Sequence, residues 1–150
     1  MMKKYIYSLV FMVFIVFMTV LPGISAEEAE AIKTNAEPMP RYISATYFHT
    51  TARCPTCHTI EELSSKAVQL NFENELKTGK VVWRIINVDE PENKHYNEDY
   101  QLYTKSLIIS EMKDGKEVRW KNLEKVWHYV RDDEKFDAYV KDEIVDWLKE

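Results

Sequence analysis

The feature that most constrains this chain is its only pair of cysteines, set three residues apart in Cys54-Pro55-Thr56-Cys57. The pair directly follows Tyr42 to His49 (YISATYFH), a β-branched and aromatic run that reads as a strand. From Cys54 to about Lys77, apolar Ile60, Leu63, Ala67 and Leu70 recur at three- and four-residue steps. That stretch reads as a helix, closed by Gly79. Side chains at i and i+3 on one helical turn lie about 5–6 Å apart, so a disulfide can close there without moving the backbone. Cys54 falls where strand gives way to helix. Unpaired backbone N–H groups and the positive end of the helix dipole favour its thiolate, the reactive form. Arg53 and a protonated His58 would push the same way. Pro55 suits the first helical position, where a missing N–H costs nothing. Cys57, behind it, is the natural resolving thiol: Cys54 attacks a partner disulfide and Cys57 then resolves the mixed disulfide.

Three other readings compete with this redox role. A structural disulfide suits an oxidising compartment, but so short a loop removes little chain entropy. Cys54 to His58 also spells C-x-x-C-H, the attachment motif of c-type haem. A strand precedes that motif, however, and 13% aromatics suggest a core already filled. Met112 could serve as distal ligand, yet it lies in a strand-like run. Two cysteines with His58 or His49 could hold a soft metal, although a closed zinc site wants four well-placed ligands. The redox reading needs no cofactor and no metal.

Val81 to Val88 (VVWRIINV) is nearly continuously apolar and suits a central strand buried on both faces. A polar stretch from Asp89 follows, with a short helix over roughly 93–103. Leu107 to Met112 reads as a third strand. Lys113-Asp114-Gly115-Lys116 is a hairpin turn, because Asp-Gly accepts the positive φ angles a tight turn needs. Glu117 to Trp120 is the returning strand. Two apolar stripes, Leu123, Val126, Trp127, Val130 and then Phe136, Val140, Ile144, Leu148, make the chain end helical. The order β-α-β-α-β-β-α requires a parallel crossover first and an antiparallel hairpin later. The fold class is α/β, a mixed four-stranded sheet flanked by helices.

Lys3 and Lys4 precede an apolar run from Tyr5 to Leu21, followed by Pro22, Gly23, Ser25 and Ala26. This pattern reads as a secretory signal peptide or membrane anchor over residues 1–26. Either form places residues 27–150 outside the cytoplasm, periplasmic or secreted, with residues 5–21 as the tether if uncleaved. Residues 27–40 (EEAEAIKTNAEPMP) are polar and read as a flexible acidic linker, which leaves 41–150 as the folded domain. Without Lys3 and Lys4 the chain keeps 18 basic against 25 acidic residues. That balance disfavours nucleic acid and anionic membrane surfaces as partners.

This layout resembles the thioredoxin superfamily over residues 41–150. Ile86-Asn87-Val88-Asp89, the tyrosine-bearing helix after it and the Lys113-Asp114-Gly115 turn carry the likeness. More narrowly, YFHTTARCPTCHTIEE, NVDEPENKHYNEDYQLYTKS and KDGKEVRWKNLEKVW resemble the nitrophenyl compound nitroreductase subunit ArsF family. That resemblance implies an exported thioredoxin-like subunit that carries electrons for reducing nitroaromatic compounds. It also implies a protein thiol or disulfide partner, or a reductase complex. The sequence has no flavin or nicotinamide fingerprint of its own. Three departures from the thioredoxin pattern stand out. Arg53 replaces the aromatic residue before the first cysteine. Phe48 falls where thioredoxin has a buried carboxylate. Ser106 falls where thioredoxin has a cis-proline facing the dithiol, and no proline occurs after Pro91. A cis bond before a non-proline residue costs several kcal/mol, so Tyr103 to Ser106 is expected to be trans while still facing Cys54. The lost proline favours a dedicated partner. Glu61, seven residues after Cys54, reads as a solvated helix glutamate or a proton relay; His49 and His95 read as ordinary surface or strand residues.

Overall fold

The computed structural model describes residues 41–150. The signal or anchor expected over 1–26 and the linker expected over 27–40 lie outside the described residues. Among the described residues no helix is long and apolar enough to cross a membrane.

Strand β1 (Tyr42–His49) has the bounds its composition predicts, and Ile43 through Phe48 are buried. Helix α1 (Pro55–Asn71) follows, then a single turn, α2 (Glu73–Lys77). The continuous helix expected from Cys54 to Lys77 is therefore broken. The break is at Phe72, which leaves helical geometry at φ −129° and turns its ring into the core at 2% exposure. Asn71 covers the exposed end, donating to the Ala67 carbonyl and to Asp137. Gly79 ends the excursion at φ +73°, a left-handed conformation that favours glycine.

Strand β2 (Val81–Asn87) pairs parallel with β1. Two short turns come next, a 3-10 turn at Pro91–Asn93 and α3 (Tyr96–Asp99), in place of the single short helix expected there. Strand β3 (Ser106–Lys113) pairs antiparallel with β1, and β4 (Lys116–Asn122) pairs antiparallel with β3. Asp114 and Gly115 between them have φ of +51° and +74°, as the Asp-Gly turn requires. Helix α4 (Val126–Tyr129) and helix α5 (Asp133–Lys149) complete the chain.

The strand order is β2-β1-β3-β4. This mixed four-stranded sheet with its flanking helices is thioredoxin-like. The order corrects one expectation: β2 is an edge strand, and β1 and β3 are central. The α1 crossover sets β2 beside β1, and β3 occupies β1's other side. Ile85 accordingly stays 46% exposed despite its apolar neighbours.

The two faces of the sheet are covered differently. Ile43, Ala45, Tyr47, Leu107 and Ile109 meet α1 and α5 through Ile60, Ala67, Val68, Phe136, Val140 and Ile144. Trp147, more than the expected Leu148, finishes the α5 stripe. On the other face a smaller cluster joins Phe48, Val88 and Ile108 to Tyr96, Tyr100 and Leu102. Strand alternation explains the division, since successive side chains point to opposite faces.

Candidate functional site

The dithiol lies beyond the C-terminal end of β1, at the first turn of α1. Cys54 is the helix N-cap, with extended backbone at φ −86° and ψ 163°. Its sulfur accepts the Cys57 N–H at 3.3 Å, and its carbonyl also caps the helix through Cys57 and His58 N–H groups. Pro55 is the first helical residue, where its ring fits and no donor is lost. Both thiols are free. Cys54 is exposed and Cys57 is buried to 2%.

This asymmetry separates the two sulfurs chemically. The Cys57 thiol and the Cys57 N–H both hydrogen-bond to the Cys54 sulfur and lower its pKa from the ordinary thiol value. Cys57 moves the other way. Burial raises its pKa first, and the hydrogen bond to Cys54 adds to that. The outer sulfur is thus the one whose thiolate is favoured, and the inner one is the one whose thiol is favoured.

The residue behind the inner cysteine is Tyr47, not Phe48. Tyr47 is fully buried, and its hydroxyl donates to the Cys57 carbonyl at 2.8 Å. Phe48 points to the opposite face, against the rings of Tyr96 and Tyr100 at 5.1 and 5.2 Å. Burial, then the negative potential of Cys57 and Glu61, drives the Tyr47 pKa well above the ordinary phenol value. It acts as a donor that stays protonated.

Arg53 and Glu61 form an ion pair beside this tyrosine, each side chain about 20% exposed. Glu61 is therefore not the solvated glutamate of the sequence reading. Its partner is Arg53, whose guanidinium is occupied by that carboxylate, while His58 is exposed on the first turn of α1. Ser106 begins β3, is buried, and pairs in register with Phe48. Its hydroxyl donates to the Thr104 carbonyl at 3.0 Å. Among the described residues no peptide bond is cis, so Tyr103 to Ser106 runs trans.

Other residues at this end were not visible in the sequence pattern. Asp89 accepts the Thr51 N–H at 2.7 Å and so ties the loop before Cys54 to the end of β2; that bond lowers the Asp89 pKa. Asn87 donates to the Thr51 hydroxyl at 3.1 Å. Lys105, directly before Ser106, lines a small cavity with His49 and Thr50, and its carbonyl accepts the Trp127 indole N–H at 3.0 Å. His49 ends β1, with its Nδ1 3.0 Å from the Thr50 carbonyl oxygen. Tyr47 was recoverable from strand parity, because it shares a face with Ile43 and Ala45. Nothing local marks Lys105 except its adjacency to Ser106. Among the described residues no group of three or more His, Cys, Asp or Glu side chains is placed to hold a metal.

No family model matches the chain, and no curated protein matches it in sequence. The thioredoxin of Fasciola hepatica is among the solved structures that match. It is 17% identical, the match covers 65% of this chain and 81% of that one, and the TM-score is 0.38. The fold assignment stands on strand order and connectivity. A thioredoxin-like fold that places Cys54 and Cys57 together is consistent with thiol-disulfide exchange.

Proposed function

We propose that this protein is an exported thioredoxin-like dithiol carrier that exchanges two electrons with a protein partner through Cys54 and Cys57. One observation carries the reading: an exposed Cys54 with lowered pKa caps α1 directly over a buried Cys57 with raised pKa. A structural disulfide would need neither the exposure of one sulfur nor the difference between the two. In the exchange, the Cys54 thiolate attacks a partner disulfide and releases one partner thiolate. Cys57 then loses its proton and attacks the Cys54 sulfur. The Cys54–Cys57 bond forms, the mixed disulfide breaks, and the second partner sulfur leaves carrying the electron pair.

Export rests on the Lys3, Lys4 and Tyr5–Leu21 pattern. A role as electron-carrying subunit of a nitroaromatic reductase rests on the three runs that resemble that family. Haem attachment through Cys54, Cys57 and His58 is the weaker alternative. A second thioether would have to form at a sulfur that is 2% exposed and packed beneath the helix, and Met112 lies within β3.

The deciding experiment is a trap. Cys57→Ser should accumulate a stable mixed disulfide with a protein partner in the producing cells, whereas Cys54→Ser should accumulate none. If Cys57→Ser trapped nothing while the wild-type pair cycled between reduced and oxidised forms, the carrier role would be wrong and a fixed, non-exchanging subunit would be the better description.

A further inference from the structure

The two edges of the sheet are unlike. Edge strand β4 carries Lys116, Glu117, Arg119 and Lys121, whereas edge strand β2 reads Val-Val-Trp-Arg-Ile-Ile-Asn, with Arg84 its single charge. Charged side chains keep an open strand edge from pairing with another chain, and β2 largely lacks them. Its backbone is also free to pair. The Lys80 carbonyl accepts the Ile43 N–H at 2.9 Å, and the Val88 N–H donates to the His49 carbonyl at 2.8 Å. Even-numbered residues of β2 therefore turn their backbone groups towards β1, and Val81, Trp83 and Ile85 turn theirs outward. Among the described residues no hydrogen bond meets those outward groups. Beside this edge a groove of about 600 Å³ runs along the outer face of α1. Glu62, Lys66 and Leu70 follow one another along it at four-residue steps, and Ile85 faces them from β2. Leu70 is 71% exposed. Among the described residues neither Glu62 nor Lys66 has an ion-pair partner.

We infer that this edge is an interface for a second copy of this chain: β2 pairs antiparallel with β2 of the copy about a two-fold axis, and the two α1 helices run side by side over the join. An edge strand is complementary to its own antiparallel copy, as an isologous interface requires. The charges on α1 are self-complementary in the same sense. The axis reverses the second helix, which sets Glu62 of each copy towards Lys66 of the other, so the ion pair forms twice while Leu70 and Ile85 are covered. Arg84 restricts the register. Set opposite its own copy it would bring like charges together, so the axis falls on Trp83 or Ile85, whose outward backbone groups then bond across it. The two sheets become one of eight strands. Cys54 caps α1 beyond the C-terminal end of β1, so the axis sends the two dithiols to opposite ends of the joined sheet and leaves each one open.

Co-capture of two differently tagged copies of the full chain tests the pairing. Both are produced in the same cells and extracted in mild detergent, with a reductant present so that no intermolecular disulfide contributes. Wild-type copies should capture each other. Ile85→Lys, which puts a charge on the open edge, should abolish capture. Glu62→Lys and Lys66→Glu should each lower the captured share about five-fold or more, because each sets like charges against one another. Glu62→Lys combined with Lys66→Glu should restore it, a rescue that only an interface between two copies of α1 can give. Melting curves and the rate of Cys54 alkylation, both expected to match the wild type, show that each variant is folded. Three results would overturn the inference. Wild-type copies that fail to capture each other would do so directly. Capture unmoved by every substitution would place the contact elsewhere, for instance in residues 5–21. Capture lowered by the single changes and not restored by the double would mean that something other than a second copy, residues 27–40 or another protein, meets this edge.

Discussion

The two ends of the central sheet both carry ion pairs, and they differ in how deeply the carboxylate is buried. At the end where β1 begins, Glu111 is buried to 3% exposure and answered from three sides. Arg41 pairs with one oxygen, Arg119 donates to the other at 2.7 Å, and Lys113 approaches at 3.1 Å. Arg41 also donates to the Trp147 carbonyl at 2.5 Å, and Arg119 lies over the Trp147 ring at 4.3 Å while reaching Glu150. Strand, hairpin and the end of α5 are thus tied through one carboxylate. At the end where β1 stops, Arg53 pairs with Glu61 beside the dithiol, each side chain about 20% exposed, and Asp89 accepts the Thr51 N–H at 2.7 Å. The Cys54 sulfur itself is answered by the Cys57 N–H at 3.3 Å. Solvent screens a part-exposed pair more than a buried one. The difference teaches that the most deeply buried carboxylate is spent on tying the fold together, while the reactive sulfur is served by the backbone of its own helix.

Breaking the reactive end should have the largest effect on chemistry and almost none on the fold. Cys54→Ser should lower the rate of thiol alkylation and disulfide exchange roughly a hundred-fold or more, because the remaining thiol is buried and its thiolate is disfavoured. Its thermal midpoint should stay near that of the reduced wild type. Iodoacetamide labelling followed by mass spectrometry, beside a melting curve, tests both halves of the statement. A large loss of stability in this variant would mean that Cys54 caps the helix in a way the comparison undervalues.

Breaking the paired end should do the reverse. Glu111→Gln leaves three cations around a neutral buried group and should cost about 2–3 kcal/mol, less than a wholly buried pair because Arg41 and Arg119 are partly solvated. Urea denaturation measures it, and thiol exchange in the folded variant should be unchanged. A change in exchange rate would show that the two ends are coupled through β1. Acid sharpens the same contrast. Hydrogen bonds from Arg41 first, with Lys113 and Arg119, hold the Glu111 pKa down to about 2 from 4.5. A carboxylate depressed by folding contributes stability that is complete above its unfolded pKa and disappears as pH falls through its folded one. Wild-type stability should therefore decline between about pH 4.5 and pH 2, and Glu111→Gln should flatten that part of the curve.

Much of this organisation is legible in the sequence, and the illegible parts have physical reasons. The run Tyr42 to His49 was legible as a strand because it is rich in β-branched and aromatic residues. Asp114-Gly115 showed the hairpin because few residue pairs accept two positive φ angles. The apolar run Val81 to Val88 pointed to a central strand, but hydrophobicity does not report which neighbour a strand has. The β2 edge is set by where β3 pairs, far along the chain. The break at Phe72 was hidden among good helix formers, since burial of one ring causes it. At the site, cysteine spacing identified the dithiol directly. The resemblance set Phe48 at the place of thioredoxin's buried carboxylate, one residue from Tyr47, whose hydroxyl reaches the Cys57 carbonyl. In a strand an error of one residue is an error of face.

The smallest expected effect tests how firmly the inner cysteine is held. Tyr47 is the one polar side chain that reaches the helix turn beneath the dithiol from β1, through its bond to the Cys57 carbonyl. Tyr47→Phe keeps the ring and its packing but removes the donor, leaving a buried carbonyl with one partner fewer. The cost should be about 1 kcal/mol of stability, within the ordinary range for a neutral hydrogen bond. Because the phenol stays protonated, it supplies no proton acceptor to Cys57. With dithiodipyridine as a small disulfide, Cys54 attack releases one thiopyridone and Cys57 resolution a second, and the pH profile of that second release should keep its midpoint. Stopped-flow traces of Tyr47→Phe across pH would decide the matter. A displaced midpoint would make the tyrosine part of the proton path, and the bond from β1 would then set the chemistry of the inner sulfur as well as its position.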